Sequence, residues 1–226
     1  MTAPAVRFDG VTVTRRRREI VRDASFTVGS GAVHALLGHN GAGKTTLLRA
    51  MCGVVTTSRG GVVQADEPVV LFAQTRVPRE TTAAQVLEYR RRVRGRSRAD
   101  VAAVVGRTGV GGFLDRPHAT LSTGMAQRVS IAAALVDDAS TLVLDEPTTG
   151  LDPQGVAGLL DLVVGLRAEG RTVMICSHDL SQLELVCDEL TCLRDGRVTV
   201  TGPVDAVAAT VPATGHVLRT RTTPAR

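Results

Sequence analysis

Two periods of hydrophobicity alternate along this chain. The stretches AVRFDGVTVT (5–14) and SFTVGSGAVHALLG (25–38) carry a strand pattern, with a turn at Gly29 to Gly31. TLVLD (141–145) and TVMICS (172–177) are short apolar runs, as expected of strands covered on both faces. Between these lie stretches of helical character. TTLLRAMCG (45–53) reads as a helix stopped by Gly53. DPQGVAGLLDLVVGLRAEG (152–170) places Asp152 at the N-cap, Pro153 at the first helical position and Gly170 just past the end. DLSQLELVCDE (179–189) reads as a short helix, and LTCLRDGRVTVTG (190–202) as a hairpin turning at Asp195-Gly196. Strands alternating with helices predict an α/β domain with a mostly parallel sheet. From about 75 to 140 the pattern changes to helices rich in Ala and Arg, read as an inserted helical subdomain of a domain spanning 1–210. The Thr-, Pro- and Arg-rich tail, 211–226, is expected to fray.

Composition narrows the picture. Aromatics are 2% of the chain and tryptophan is absent, so the core must come from Val, Leu, Ala and Ile. The net charge of +5 favours phosphate-bearing ligands, an anionic membrane surface or nucleic acid, without choosing among them. Four cysteines without metal-ligand spacing are expected as buried, reduced thiols. The opening MTAPAVRFDG has no apolar signal core, and no run reaches the ~18 apolar residues of a membrane helix. The expected location is the cytosol, with any membrane role exercised through a partner.

Lys44 is the only lysine in the chain. It sits in GHNGAGKTT, comprising Gly38, His39, Asn40, Gly41, Ala42, Gly43, Lys44, Thr45 and Thr46, which fits the phosphate-loop pattern. An apolar run precedes the loop and a helix follows it, as that motif requires. Small residues let backbone N–H groups turn inward around phosphates, and the helix N-terminus favours negative charge. Lysine contributes a compact charge on a flexible stem, where the planar fork of arginine would fill the loop differently. Thr45 supplies a hydroxyl for Mg²⁺. Asp145 and Glu146 close the apolar run TLVLD, where buried acids are costly without a metal or a proton-transfer partner. Asp145 is the candidate metal ligand, and Glu146 the candidate base for an attacking water.

The order of the remaining motifs is specific. Gln74 follows VVLFA, LSTGMAQR spans 121–128, DEPTTGLDP spans 145–153 and His178 follows TVMICS. In this order they resemble an ABC-type ATP-binding domain over about residues 5 to 205. That resemblance implies a P-loop NTPase core with a mostly parallel sheet, an antiparallel β part and an inserted helical subdomain. It implies ATP and Mg²⁺ as cofactors. Gln74 would touch Mg²⁺ and the attacking water and link to a membrane partner. His178 would contact the γ-phosphate. Ser122 and Gly124 would cap the γ-phosphate held by the opposite subunit, with Asp152 at the same interface. The implied assembly is a head-to-tail dimer, of two copies or with a paralogue, serving a separate permease at the inner face of the cell membrane.

Three features depart from the common pattern. The signature reads LSTGM rather than LSGGQ, a variant similar to that of daunorubicin-type drug-resistance export ATPases, so export is the expected direction. Where members of the family usually carry an aromatic residue that stacks on adenine, this sequence aligns Arg15, within TRRRRE; a guanidinium plane can also stack on a base, so Arg15 or its neighbour Arg16 is the expected replacement. The segment YRRRVRGRSR carries Arg90, Arg91, Arg92, Arg94, Arg96 and Arg98, read either as a solvated face or as a surface for anionic lipid or acidic permease loops. The alternative function is a non-transport ATPase of the same family, regulating a membrane assembly or acting on DNA. Scarce aromatics, and the absence of coiled-coil or zinc-binding inserts, argue against a nucleic-acid partner.

Overall fold

The computed structural model describes residues 4–72 and 77–208. Gln74 and the tail 211–226 lie outside the described residues. Three antiparallel strands form one sheet: β1 (Val6–Arg15), β2 (Arg18–Val28) and β4 (Arg59–Gln64), ordered β2-β1-β4. The main sheet holds β3 (Val33–Leu37), β5 (Val69–Leu71), β6 (Thr141–Asp145), β7 (Thr172–Ser177), β8 (Glu189–Arg194) and β9 (Arg197–Pro203). Its order is β5-β6-β7-β3-β8-β9, and every neighbouring pair is parallel except β8 and β9. The helices are α1 (Lys44–Met51), α2 (Ala83–Val93), α3 (Arg98–Thr108), α4 (Thr123–Val136), α5 (Pro153–Ala168) and the short α6 (Val204–Ala208).

The apolar runs explain the layering. Every residue of β3, β6 and β7 is buried. Successive side chains point to opposite faces, so Leu142, Leu144, Val173 and Ile175 join a core with α4 and α5. Val143, Met174, Cys176 and Leu36 join a second core with α1 and the antiparallel strands. β3 carries one polar exception, His34, which is fully buried. Its Nε2 lies 2.9 Å from the Thr191 hydroxyl and its Nδ1 3.4 Å from Glu189. Burial pulls the His34 pKa below its ordinary value, against the opposing pull of Glu189.

Two local expectations are corrected. The 179–189 segment is a series of turns rather than an α-helix. Its bonds mix i→i+3 (Leu183 and Val186 N–H to the Leu180 and Leu183 carbonyls) with i→i+4 (Glu184 and Cys187 to the same carbonyls). The Asp179 carboxylate accepts from the Ser181 N–H and hydroxyl and from the Gln182 side-chain amide. Of the four cysteines, Cys52 is exposed, because it caps the C-terminus of α1 on the surface. All four are free thiols.

The Arg-rich segment is partly paired within the chain, its guanidinium groups sharing a smaller number of carboxylates. Arg90 and Arg94 lie 3.0 and 3.5 Å from Asp137, whose side chain is 2% exposed at the end of α4. Arg91 and Arg92 both meet Glu88 at 2.7 Å, and Arg96 meets Asp138 at 3.3 Å. The paired guanidinium groups pull the Glu88 carboxyl down to about 2. α2 also leaves two apolar side chains bare beside its exposed Gln85 and Arg92: Tyr89 and Val93, one turn apart, are 65% and 58% exposed. Among the described residues, no helix is long and apolar enough to cross a membrane.

Candidate active site

β6, β7 and β3 lie side by side and run parallel, so their C-terminal ends open on one edge. Ligands of open α/β sheets bind at such an edge. The loop after β3 carries Lys44, the end of β6 carries Asp145 and Glu146, and His178 follows β7 directly. Backbone bonds extend the sheet by one step: Gly38 N–H donates to the Ser177 carbonyl at 3.1 Å, and Glu146 N–H to the Cys176 carbonyl at 2.9 Å.

The loop has the form its sequence predicts. A Cβ on Gly38 would sit 2.5 Å from the Leu193 carbonyl oxygen, so only glycine fits there. Gly43, at φ +112°, precedes α1 with no side-chain cap, which leaves the first N–H groups of that helix facing the loop. Ile20 of β2 and residues His39 to Thr46, with Glu146, line a cavity of about 210 Å³ there. A larger cleft of about 740 Å³ opens on the antiparallel sheet, but its walls include none of these groups.

Lys44 is 5% exposed and its ammonium donates to the Gly38 carbonyl. The same ammonium lies 3.0 Å from Glu146 Oε1, an ion pair by distance whose angle makes no directed hydrogen bond. Glu146 Oε2 is 2.8 Å from His178 Nδ1. The Glu146 backbone is left-handed, at φ +50°, uncommon for a residue with a side chain. Beside this chain of contacts, the Thr45 hydroxyl donates to Asp145 Oδ2 at 3.0 Å. Burial, and next the Glu146 charge, raise the Asp145 pKa; the Thr45 bond, Lys44 and Arg49 pull the other way. Asp145 Oδ1 is buried without a hydrogen-bond partner. A carboxylate oxygen with an open lone pair beside a threonine hydroxyl is a donor set that fits a hard cation such as Mg²⁺.

The match to the ABC transporter family model covers residues 21–149, from β2 to the turn beyond Glu146. The chain belongs to the ABC transporter ATP-binding family. Members of this family are ATPases. An uncharacterised ABC transporter ATP-binding protein of Bacillus subtilis, YhcH, is 33% identical over 83% of this chain and 66% of its own length. The zinc import ATP-binding protein ZnuC of Halorhodospira halophila is 38% identical over 88% of this chain and 77% of its own. Among solved structures, CbiO1 of Clostridium perfringens, part of the transporter complex CbiONQ, superposes with a TM-score of 0.81 at 28% identity, covering 92% of each chain.

The other candidate residues of this ABC domain are distributed as follows. Ser122 N-caps α4, accepting from the Met125 N–H at 3.2 Å, and Asp152 N-caps α5, accepting from the Gly155 N–H at 2.7 Å. Neither Ser122, Gly124 nor Asp152 lines the phosphate cavity of its own chain. Arg15 lies at the end of β1, beside a hairpin turn of Arg16 and Arg17 at φ +49° and +64°. Among the described residues, Arg15 to Arg18 have no ion-pair or side-chain hydrogen-bond partner. Ile20 is the β2 residue that reaches the cavity, and the sequence reading missed it. An isoleucine in a strand announces burial, and nothing in its type points to a nucleotide.

Proposed function

We propose that this chain is the ATP-hydrolysing subunit of a transporter, docked on a separate integral-membrane permease at the inner face of the cell membrane. The observation that supports it best is the contact chain Lys44–Glu146–His178 beside Thr45–Asp145, on one sheet edge. Lys44 and the loop amides hold the phosphates. Thr45 and Asp145 would hold Mg²⁺, which would supply charge neutralisation on the phosphate oxygens. Glu146 orients and deprotonates the water, and His178, bonded to it, contacts the γ-phosphate. Gln74, assigned by sequence position alone, would reach the metal and the water and link to the permease. Ser122, Gly124 and Asp152 serve the nucleotide of a second copy or a paralogous subunit, arranged head to tail. Their positions outside their own cavity support that assignment. The bare Tyr89 and Val93 on α2 are the surface proposed to meet the permease. Export is the proposed direction, supported by the LSTGM signature; the zinc-import relative speaks for the opposite one.

The test is to isolate the Glu146→Gln protein with ATP and Mg²⁺ from gently solubilised native membranes. A polytopic membrane protein in stoichiometric amount is the expected companion, and its transport of cargo in vesicles gives the direction. Nucleic acid or a soluble protein in its place would refute the transporter reading.

Arg15 is proposed as the adenine contact, supported by its free guanidinium on the hairpin whose second strand carries Ile20 into the cavity. A stacked guanidinium is worth roughly 1 kcal/mol, about fivefold in affinity. Arg15→Ala is therefore expected to weaken ATP and GTP binding alike by about that factor, because every base has a π face. Equal affinities for wild type and variant in a nucleotide titration would exclude the contact.

A further inference from the structure

The turn between β8 and β9 is wedged between two parts of the nucleotide site. Its two residues, Asp195 and Gly196, hold φ +49° and +80°, the pair of positive values a tight hairpin needs. Gly196 is buried, although it lies at the tip of its hairpin. Its N–H donates at 3.0 Å to the carbonyl of Ala42, in the middle of the phosphate loop. Its carbonyl accepts from the Arg22 N–H of β2 at 2.7 Å. One residue thus bonds the phosphate loop and β2 together. Asp195 faces the loop as well, with Oδ1 3.6 Å from His39 Nε2.

No side chain fits at Gly196. A Cβ there would lie 2.3 Å from the Ile20 carbonyl oxygen and 3.0 Å from its carbon, closer than such atoms can approach. The obstacle is backbone, which cannot swing aside as the end of a side chain would. Ile20 is the β2 residue that lines the phosphate cavity, on the hairpin that carries Arg15. We propose that Gly196 is a positioning residue that sets the distance between the phosphate loop and the β1–β2 hairpin. That distance is the span a nucleotide bridges from its phosphates to its base. With only hydrogen on its Cα, the turn lets the Ile20 carbonyl close to contact. A side chain drives β2 away from the loop, while the N–H remains able to hold Ala42. The inference rests on the reading above in which this hairpin meets the base.

The test titrates ATP and inorganic tripolyphosphate into wild type, Gly196→Ala and Gly170→Ala, in EDTA so that neither ligand is hydrolysed. Tripolyphosphate needs the phosphate loop alone; ATP needs the loop and the hairpin. Gly196→Ala is expected to weaken ATP binding by about fivefold, the worth of a stacked base contact, and to leave tripolyphosphate unchanged. Gly170 is the control. It holds φ +79° with open space where a Cβ would go, so alanine there brings the same backbone strain without the obstruction. Gly170→Ala is expected to bind both ligands as wild type does. Loss of both ligands in Gly196→Ala would mean a distorted phosphate loop and would overturn the proposal, as would loss of neither. Should Gly196→Ala not fold, the Gly196 amide of the wild-type chain decides. ATP clamps the hairpin to the loop, so exchange of that amide is expected to slow several-fold with ATP and not with tripolyphosphate. Equal slowing by the two ligands would overturn the proposal. Arg15→Ala tests the underlying reading separately. If that variant binds ATP normally while Gly196→Ala loses ATP alone, the spacing role stands and Arg15 is not the base contact.

Discussion

Glu146→Gln is expected to lower ATP turnover by roughly a hundred- to ten-thousand-fold, the range for losing a general base, and to leave ATP binding intact. Glutamine keeps the size of the side chain and cannot accept the proton of an attacking water. It also removes the negative charge 3.0 Å from the Lys44 ammonium, so that ammonium loses its competitor for the phosphates. The variant should therefore accumulate as an ATP-bound dimer under Mg²⁺. Single-turnover hydrolysis and size-exclusion chromatography with ATP check the two halves separately. Wild-type turnover would remove Glu146 from the role of base.

Lys44→Met is expected to cost about 3 kcal/mol in ATP affinity, or about a hundredfold, on the scale of a buried charge pair broken on one side. The methionine has similar reach and no charge, so Glu146 is left without its cationic neighbour beside the phosphate cavity. Lys44→Arg asks why one lysine survives in a chain whose other strong cations are arginines. The Lys44 side chain is only 6% exposed and ends between the Gly38 carbonyl and Glu146. A planar fork needs more width than that position gives. Arginine is expected to lose most of the same affinity, although the charge is kept. Calorimetric titration with ATP would show this, and full affinity in the arginine variant would make the lone lysine a matter of composition alone.

The site was legible because its signals are local. Gly38, Gly43 and Lys44 declare a loop by spacing, and the helix caps Ser122 and Asp152 declare themselves by residue type and position. The buried strands were equally plain, since runs such as TLVLD have no polar position to interrupt them. What escaped was set by tertiary context. β4 contains Gly60 and Gly61 and carries little strand propensity, yet it pairs with β1 along Val6 to Asp9. The 179–189 segment has helical spacing, but its bonds mix i→i+3 with i→i+4 spans, so no regular helix forms. The arginine run is partly solvated, as its charge suggested, but the carboxylate partners of Arg90, Arg94 and Arg96 at Asp137 and Asp138 lie more than 40 residues further along. No local pattern could have paired them.

The scarcity of aromatic residues has a practical corollary. The chain has one tyrosine and no tryptophan, and that tyrosine, Tyr89, stands 65% exposed on the helix proposed to meet the permease. Tyrosine emission from this protein therefore comes from a single known address. Docking of any partner on α2 would change the surroundings of the whole signal at once, while events at the phosphate cavity would leave it nearly untouched. Composition has thus equipped the molecule with a native, site-specific optical label, needing no chemistry to install.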